Sequence, residues 1–280
     1  MNILLTGAGG FIGSHLHKEL NTKHKVFQVF HPSDYIEGQN SFSVNLTNVS
    51  AVNKLIIDLS KQVKIDVIIH LASGIASPEK VNDVELLKES IVITENIVDI
   101  TKSVKPRVLI NFSSMAVYPN VSGIFSEESI PAPQKNPDCI YGLSKYCSEV
   151  MIDFLLRNEN ICIIHLRISQ VHGKGMRSDR IIPVMLKELK DNDTITVYGN
   201  GERTSNFINV DKLVKEVEFF LQEDISGIYN VGDRNISFLE LAQELIDKYG
   251  DENSTINKEP QGNKEKFILD ISKLSSVYKN

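Results

Sequence analysis

Two groups of residues in this chain have types and spacings that suit chemistry. Tyr141 and Lys145 stand four apart, so on a helix they share one face. A free tyrosine, with a pKa near ~10, is a poor base at neutral pH. A lysine ammonium one turn away favours the phenolate and lowers that value. A phenol so placed can take or give a proton at a reacting carbon. The second group is Gly7, Gly10 and Gly13, three apart within Thr6-Gly7-Ala8-Gly9-Gly10-Phe11-Ile12-Gly13. Glycines at this spacing allow a tight turn and close backbone approach to a pyrophosphate. A helix opening at the turn aims its free N–H groups and positive dipole end at the phosphates. Neither pattern is decisive alone. Tyr and Lys four apart are common on surface helices, and a glycine triplet carries weight only between a strand and a helix.

The surrounding elements provide that context. Apolar, β-rich runs occupy 2–6, 26–30, 67–70, 108–112 and 161–166, with helical patterns at 12–21, 49–62, 82–103 and 141–158. Continuous apolar runs suit strands covered on both faces. Alternation with helices predicts right-handed crossovers and a parallel sheet. The glycine turn then joins the first strand to the first helix, and Tyr141 and Lys145 sit on the fourth helix. After about residue 167 the loops lengthen. Helices are expected near 180–190, 211–222 and 237–249, with short strands near 195–198 and 206–209. Asp211 is expected to cap the helix it precedes. Residues 251–266 are polar and read as a mobile surface loop. The fold class expected is α/β: a Rossmann-type doubly wound parallel sheet with a smaller C-terminal α/β substrate lobe. Residues 1–167 form the dinucleotide-binding part; 168–280 form a lobe interleaved with it that does not fold independently.

Composition narrows the field. Of 280 residues, 41% are hydrophobic and 24% charged, ordinary for a chain that buries a core. The formal net charge is -6, which argues against nucleic acid as a partner, since phosphate binding needs a surplus of Lys and Arg. Cys139, Cys147 and Cys162 fit no zinc spacing; they read as free thiols, and no metal is expected. No apolar run is long enough for a membrane span, and no signal segment is recognisable at the N-terminus. A cytoplasmic protein is expected.

The glycine pattern resembles the TGxxGxxG turn of the extended short-chain dehydrogenases, the family of NAD-dependent epimerases and dehydratases, and the resemblance extends over nearly the whole chain. His70-Leu71-Ala72-Ser73 is similar to the HLAA segment. Ser90 to Asn96 is similar to the NxxGTxN helix, with Ser90 at the first Asn. Phe112 to Tyr118 resembles SSxxVY, and Tyr141 to Lys145 is the YxxxK. Arg167 to Gly173 resembles RxxNVYG, with Gln170 for Asn and His172 for Tyr. Tyr198 to Asp211 resembles YGxGxQxRDFIxVxD, with Ser205 where the family has its diphosphate-binding Arg.

The resemblance implies roles. Ser114, Tyr141 and Lys145 are the catalytic set. Tyr141 exchanges the proton of a sugar hydroxyl, Ser114 positions the same oxygen, and Lys145 holds the ribose next to the nicotinamide. The cofactor is expected against Gly7, Gly10, Phe11, Ile12 and Gly13, against Leu71, Ala72 and Ser73, against Ile168, and at its adenine against Asn45 and Leu46. Phe30 stands where an NAD enzyme usually has an acidic residue at the end of its second strand. With His31 and Ser33 as donors to a 2′-phosphate, NADP(H) is expected over NAD(H), although Asp34 is within reach of a 2′-hydroxyl. Substrate contacts are expected from Ser73, Ser114, Met115, Tyr141, Gln170 and Arg203. Arg203 is two residues from Ser205 and so on the same strand face, with Arg177 and Arg180 as alternative cations. Arg167 is open between an ion-pair partner and a ligand contact.

Met115 and Ala116 replace the acidic pair that the resemblance assigns to sugar 4,6-dehydratases, which argues against elimination. The partner implied is a nucleotide-diphosphate sugar, bound by a homodimer. The reaction expected is reduction of a 4-keto nucleotide sugar. A 4-epimerase with tightly bound NAD is the alternative. A non-catalytic dinucleotide sensor is more remote, since such proteins tend to lose the Tyr or Lys.

Overall fold

The computed structural model describes residues 1–74, 79–223 and 225–278. Its main sheet is built from β1 (Asn2–Thr6), β2 (Lys25–Phe30), β3 (Ser41–Ser43), β4 (Val67–His70), β5 (Val108–Ser114), β7 (Cys162–Ile168) and β11 (Gly227–Val231). All seven are parallel, in the order β11-β7-β5-β4-β1-β2-β3. The order reverses between β1 and β4, which opens a crevice at the carboxyl ends of these strands.

Side-chain alternation explains the two helical layers. On β1, Ile3 and Leu5 face one way and Leu4 the other. Ile3 and Leu5 join a core with Leu16 and Leu20 of α1 (Phe11–Leu20) and with Leu213 and Val217 of α6 (Val210–Phe220). Leu4 joins a second core with Leu55 and Leu59 of α2 (Val49–Gln62) and Ile97 of α3 (Val84–Val104). All three strand residues are fully buried, each worth about 1.5–3 kcal/mol against exposure. The expected doubly wound α/β architecture is observed.

The expected strands and helices of the first 167 residues are present within a few residues, and α4 (Cys139–Leu156) carries Tyr141 and Lys145. Residues beyond 167 form several small sheets and also return to the large one. Strand β8 (Gln170–His172) pairs with β10 (Thr204–Asn209), which pairs with β12 (Arg234–Ser237). Strand β9 (Thr194–Tyr198) pairs with β13 (Thr255–Glu259), and β6 (Gly123–Phe125) pairs with β14 (Phe267–Leu269). Helices α5 (Ile181–Asn192) and α7 (Phe238–Tyr249) cover this part around Met185, Ile195, Phe207 and Leu241, and α8 (Ser272–Val277) closes the fold.

Three local expectations are corrected. Residues 251–266 are not simply a loop, because β13 lies inside them; its polar side chains hid a strand whose backbone pairs with β9. Helix α6 is capped by Asn209, whose side chain accepts the N–H of Asp211, so Asp211 lies in the first turn and is not the cap. Arg203 precedes β10 and is not on its face.

Candidate active site

The glycine turn follows β1 directly. Gly7 N–H and Ala8 N–H both donate to the Val29 carbonyl, at 3.1 and 3.3 Å, which folds the turn over the end of β2. A Cβ on Gly13 would lie 2.2 Å from the Gly7 carbonyl oxygen, so helix and turn touch only because Gly13 lacks one. Gly10 caps α1 without a side-chain acceptor. Phe11, Ile12 and Gly13, the first residues of α1, line the cleft, where helix N-terminal amides can meet an anion.

A second close approach builds the acid–base centre. A Cβ on Gly142 would meet the Ala116 carbonyl oxygen at 2.2 Å, so α4 packs directly on the turn after β5. That turn, Met115–Val117, is a 3-10 segment capped by Ser114, whose Oγ accepts the Ala116 N–H at 3.1 Å. The same hydroxyl stands close enough to the Tyr141 phenol to draw its pKa down. Lys145 lies one turn further along α4, buried beneath the cleft wall, with Nζ donating to the Phe112 carbonyl at 3.0 Å and 5.9 Å from the Tyr141 ring centre. Ser114, Tyr141 and Lys145 are thus brought together as expected.

The electrostatics differ from expectation. Burial pushes the Tyr141 phenol up, the Ser114 hydroxyl and the charge of Arg180 pull it down, and Asp138 raises it further; the net direction is up. Lys145 was expected to lower it, but in this arrangement that work falls to Ser114 and Arg180. Burial also draws Lys145 down to about 8, against the pull of Glu149.

One cleft of about 1020 Å³ runs from the glycine turn to Arg203. Gly7, Gly10, Phe11, Ile12 and Gly13 form its floor at one end. Leu71, Ala72, Ser73, Ile168, Asn45 and Leu46 continue the wall, with the Asn45 side-chain Oδ1 accepting from the Thr47 N–H and hydroxyl. Ser114, Met115, Tyr141, Gln170 and Arg203 line the far half. Gln170 spends its amide on Ser205 at 2.8 Å, so this pair closes the wall where a diphosphate Arg was expected. Arg203 stacks on Phe238 at 5.2 Å, and its Nε is buried without a partner among the described residues.

At the end of β2 the two residues expected to contact NADP(H) part company: His31 lines the cleft and Ser33 does not. Ser33 is off the cleft wall and donates to Asp34 Oδ1 at 2.8 Å, while His31 Nδ1 lies 2.8 Å from the Ser33 hydroxyl. Asp34 itself lines the cleft and packs against the glycine turn, its Cβ 3.2 Å from where a Gly9 side chain would begin. A carboxylate thus lines the cleft four residues after Phe30. Asp138 and Arg180, flanking Tyr141, are further cleft residues; the sequence signal for Asp138 was its place three before Tyr141, and for Arg180 its place just ahead of α5. Arg167 proves to be an ion-pair partner, of Glu149.

Residues 3–232 match the profile of the NAD dependent epimerase/dehydratase family. The chain belongs to this family. A dTDP-D-glucose 4,6-dehydratase of Dictyostelium discoideum is 27% identical over 271 residues, covering 87% of this chain and 61% of that protein. An uncharacterized UDP-glucose epimerase of Bacillus subtilis is 26% identical over 275 residues, covering 92% of this chain and 84% of its own length. The structure of a UDP-glucuronic acid 4-epimerase from Bacillus cereus in complex with NAD superposes with a TM-score of 0.79 at 26% identity, covering 99% of this chain and 92% of the other. The chain spans about three fifths of the length of several curated family members. The family assignment agrees with the resemblance read from the sequence. It is an enzyme family, and the non-catalytic reading falls away.

Proposed function

We propose that this enzyme acts as an NAD-dependent nucleotide-sugar 4-epimerase. The observation that carries the reading is that Ser114 and Tyr141 line the same cleft as the glycine turn and Asp34, with Lys145 one turn further along α4, its Nζ 5.9 Å from the Tyr141 ring centre. The residues fit NAD: α1 offers its N-terminal amides to a pyrophosphate, and Asp34 offers an acceptor to a ribose 2′-hydroxyl where it would repel a 2′-phosphate. Bound NAD supplies an acceptor that takes a hydride from the sugar carbon and returns it. Tyr141 removes the proton of the sugar hydroxyl and gives it back, Ser114 holds that oxygen, and the Ser114 hydroxyl and the Arg180 charge favour the phenolate. Met115 and Ala116, both on the wall, offer no acid or base for elimination, which supports epimerisation over dehydration although one of the relatives is a dehydratase. The named substrates of the relatives support a nucleotide-diphosphate sugar as ligand.

Reduction of a 4-keto sugar uses the same three residues but consumes its cofactor. The deciding experiment denatures the purified protein and measures released NAD, then incubates native protein with UDP-glucose, UDP-glucuronic acid and dTDP-glucose and follows the sugar protons by NMR. Retained NAD and a growing C4 epimer are expected. Empty protein that turns over only 4-keto sugars, with loss of nicotinamide absorbance, would replace the epimerase by the reductase. We further propose a homodimer, for which α3 and α4, packed side by side, expose Ile91, Val150, Phe154 and Leu155.

A further inference from the structure

Helix α4 begins without a cap of its own. Its N-cap residue is Asp138, whose side chain makes no cap hydrogen bond. A cap side chain ordinarily accepts the N–H of the second or third helical residue, since neither has a partner inside the helix. In α4 those two residues are Ile140 and Tyr141. The acid–base residue thus sits in the one turn whose amides the helix does not hold itself.

The missing acceptors come from another part of the chain. The Ile140 N–H donates to Asn82 Oδ1 at 3.3 Å, and the Tyr141 N–H donates to the Val81 carbonyl at 3.1 Å. Asn82 Nδ2 donates to the Pro137 carbonyl at 2.6 Å. An Asn amide carries an acceptor at one end and donors at the other, and Asn82 uses both. It grips the chain just before α4 and the first turn of α4 at once. Its neighbour Val81 then reaches the backbone of Tyr141 itself. Lys80, Val81 and Asp83 line the cleft, so the segment leading into α3 both walls the cleft and holds the start of α4. On another side α4 is pressed against the Ala116 carbonyl at Gly142.

We infer that Asn82 is the cap of α4, supplied from outside the helix, and the positioning residue of Tyr141, a role that rests on the reading of Tyr141 as the acid–base residue. With Asn82 in place, α4 needs no cap from the Asp138 carboxylate. Position matters because the phenol must reach the sugar hydroxyl over hydrogen-bond distance. A misplacement of about 1 Å can cost on the order of 10²-fold in rate. Where the phenol stands is decided by the backbone at 141, which is fastened to the segment that Asn82 anchors. Asn82 is exposed, so truncating it opens no cavity and the variant should fold.

Amide exchange at Ile140 and Tyr141, followed by NMR, reads the cap without turnover. In Asn82→Ala both amides should exchange roughly 2- to 30-fold faster, the range that loss of a cap implies. Asn82→Asp keeps the acceptor and gives up only the bond to Pro137, and should return Ile140 to near wild-type exchange. In steady-state turnover Asn82→Ala should lower kcat roughly 10- to 100-fold and leave KM for the sugar in place, and Asn82→Asp should recover most of the loss. Asn48 caps α2 in the ordinary way, its Oδ1 accepting the Ala51 N–H at 3.0 Å. Asn48→Ala should therefore lower the urea unfolding midpoint without moving kcat. Unchanged exchange at both amides in Asn82→Ala overturns the proposal. An equal fall of kcat in Asn48→Ala overturns it too, because the effect would then be one of stability alone. Faster exchange at both amides in a protein that epimerises no sugar would leave the cap standing and remove the functional reading instead.

Discussion

Tyr141 is half-buried in the cleft wall, and burial alone makes its phenol a weaker acid than in water. Its usefulness therefore depends on what surrounds it: the Ser114 hydroxyl, the Arg180 charge and the Lys145 ammonium. Tyr141→Phe removes the proton carrier and almost no volume. Turnover should drop roughly 10²–10⁴-fold, while the NAD retained on purification is unchanged; a variant with near-normal rate would dismiss Tyr141 as the acid–base group. Asp34 allows a second test at this scale. Wild-type protein should bind NADH more tightly than NADPH, and Asp34→Asn should narrow the difference by relieving repulsion of the 2′-phosphate, as read from fluorescence titrations with both cofactors. A wild type that prefers NADPH would return His31 and Ser33 to the site. The reacting residues were legible because their spacing is local: four residues on a helix and one turn at a strand end. Asp34 was harder to weigh, because whether it or Ser33 faces the cleft depends on the 3-10 turn at Pro32–Asp34. Asp138 was not singled out in the sequence; it is the N-cap residue of α4, yet its side chain makes no cap hydrogen bond and it lines the cleft.

Among the elements, α6 holds an unusual charge. Glu216 is 3% exposed, and its Oε2 has no partner among the described residues. Lys212, one turn before it, is engaged by Asp233 at 2.6 Å. Burial raises the Glu216 pKa from 4.5 to about 7, Lys212 working against the rise and Asp233 with it. The folded protein thus binds this proton more tightly than the unfolded chain. The contribution to stability is complete below pH 4.5 and is lost as pH rises through about 7. Glu216→Gln should remove this slope and be the more stable protein at pH 8, by an amount on the order of 3 kcal/mol at most. Urea unfolding midpoints at pH 5 to 8 for both proteins check this; parallel curves would show that Glu216 is relaxed by water. The strands buried on both faces, β1, β2, β4, β5 and β7, announced themselves as apolar runs. Strands β3, β8 and β13 did not, since each is short or polar and its pairing is decided by a distant partner. Strand β11 was hidden for another reason: it opens on Gly227, and nothing local says that Gly227–Val231 completes a sheet begun at residue 2.

For the whole molecule the question is how a chain of net charge -6 accepts a nucleotide diphosphate, whose charges must not be left desolvated and unpaired. The field of the protein as a whole opposes the ligand, so the attraction has to be local. On the proposed reading the glycine turn and the first residues of α1, which line the cleft, hold the cofactor's phosphates. At the far wall Ser205 is bound to Gln170 and offers no charge. Arg177 is held by Asp179. Arg203 lines the cleft, its guanidinium braced on Phe238 and its Nε without a partner among the described residues. Arg203→Ala should therefore raise KM for the nucleotide sugar by roughly 10- to 150-fold, the loss of one charged hydrogen-bonded contact of about 1.5–3 kcal/mol. Binding of NAD should not change, because the cofactor's phosphates are gripped at the opposite end. Arg203→Lys should recover only part of the loss, since an ammonium keeps the charge but neither stacks flat on Phe238 nor donates as a fork. Steady-state kinetics with the sugar varied, alongside calorimetric titration of NAD, separate the outcomes. If Arg203→Ala binds the sugar nucleotide as the wild type does, the diphosphate is held elsewhere, and Arg180, exposed at the start of α5 and close enough to act on Tyr141, becomes the cation to remove next.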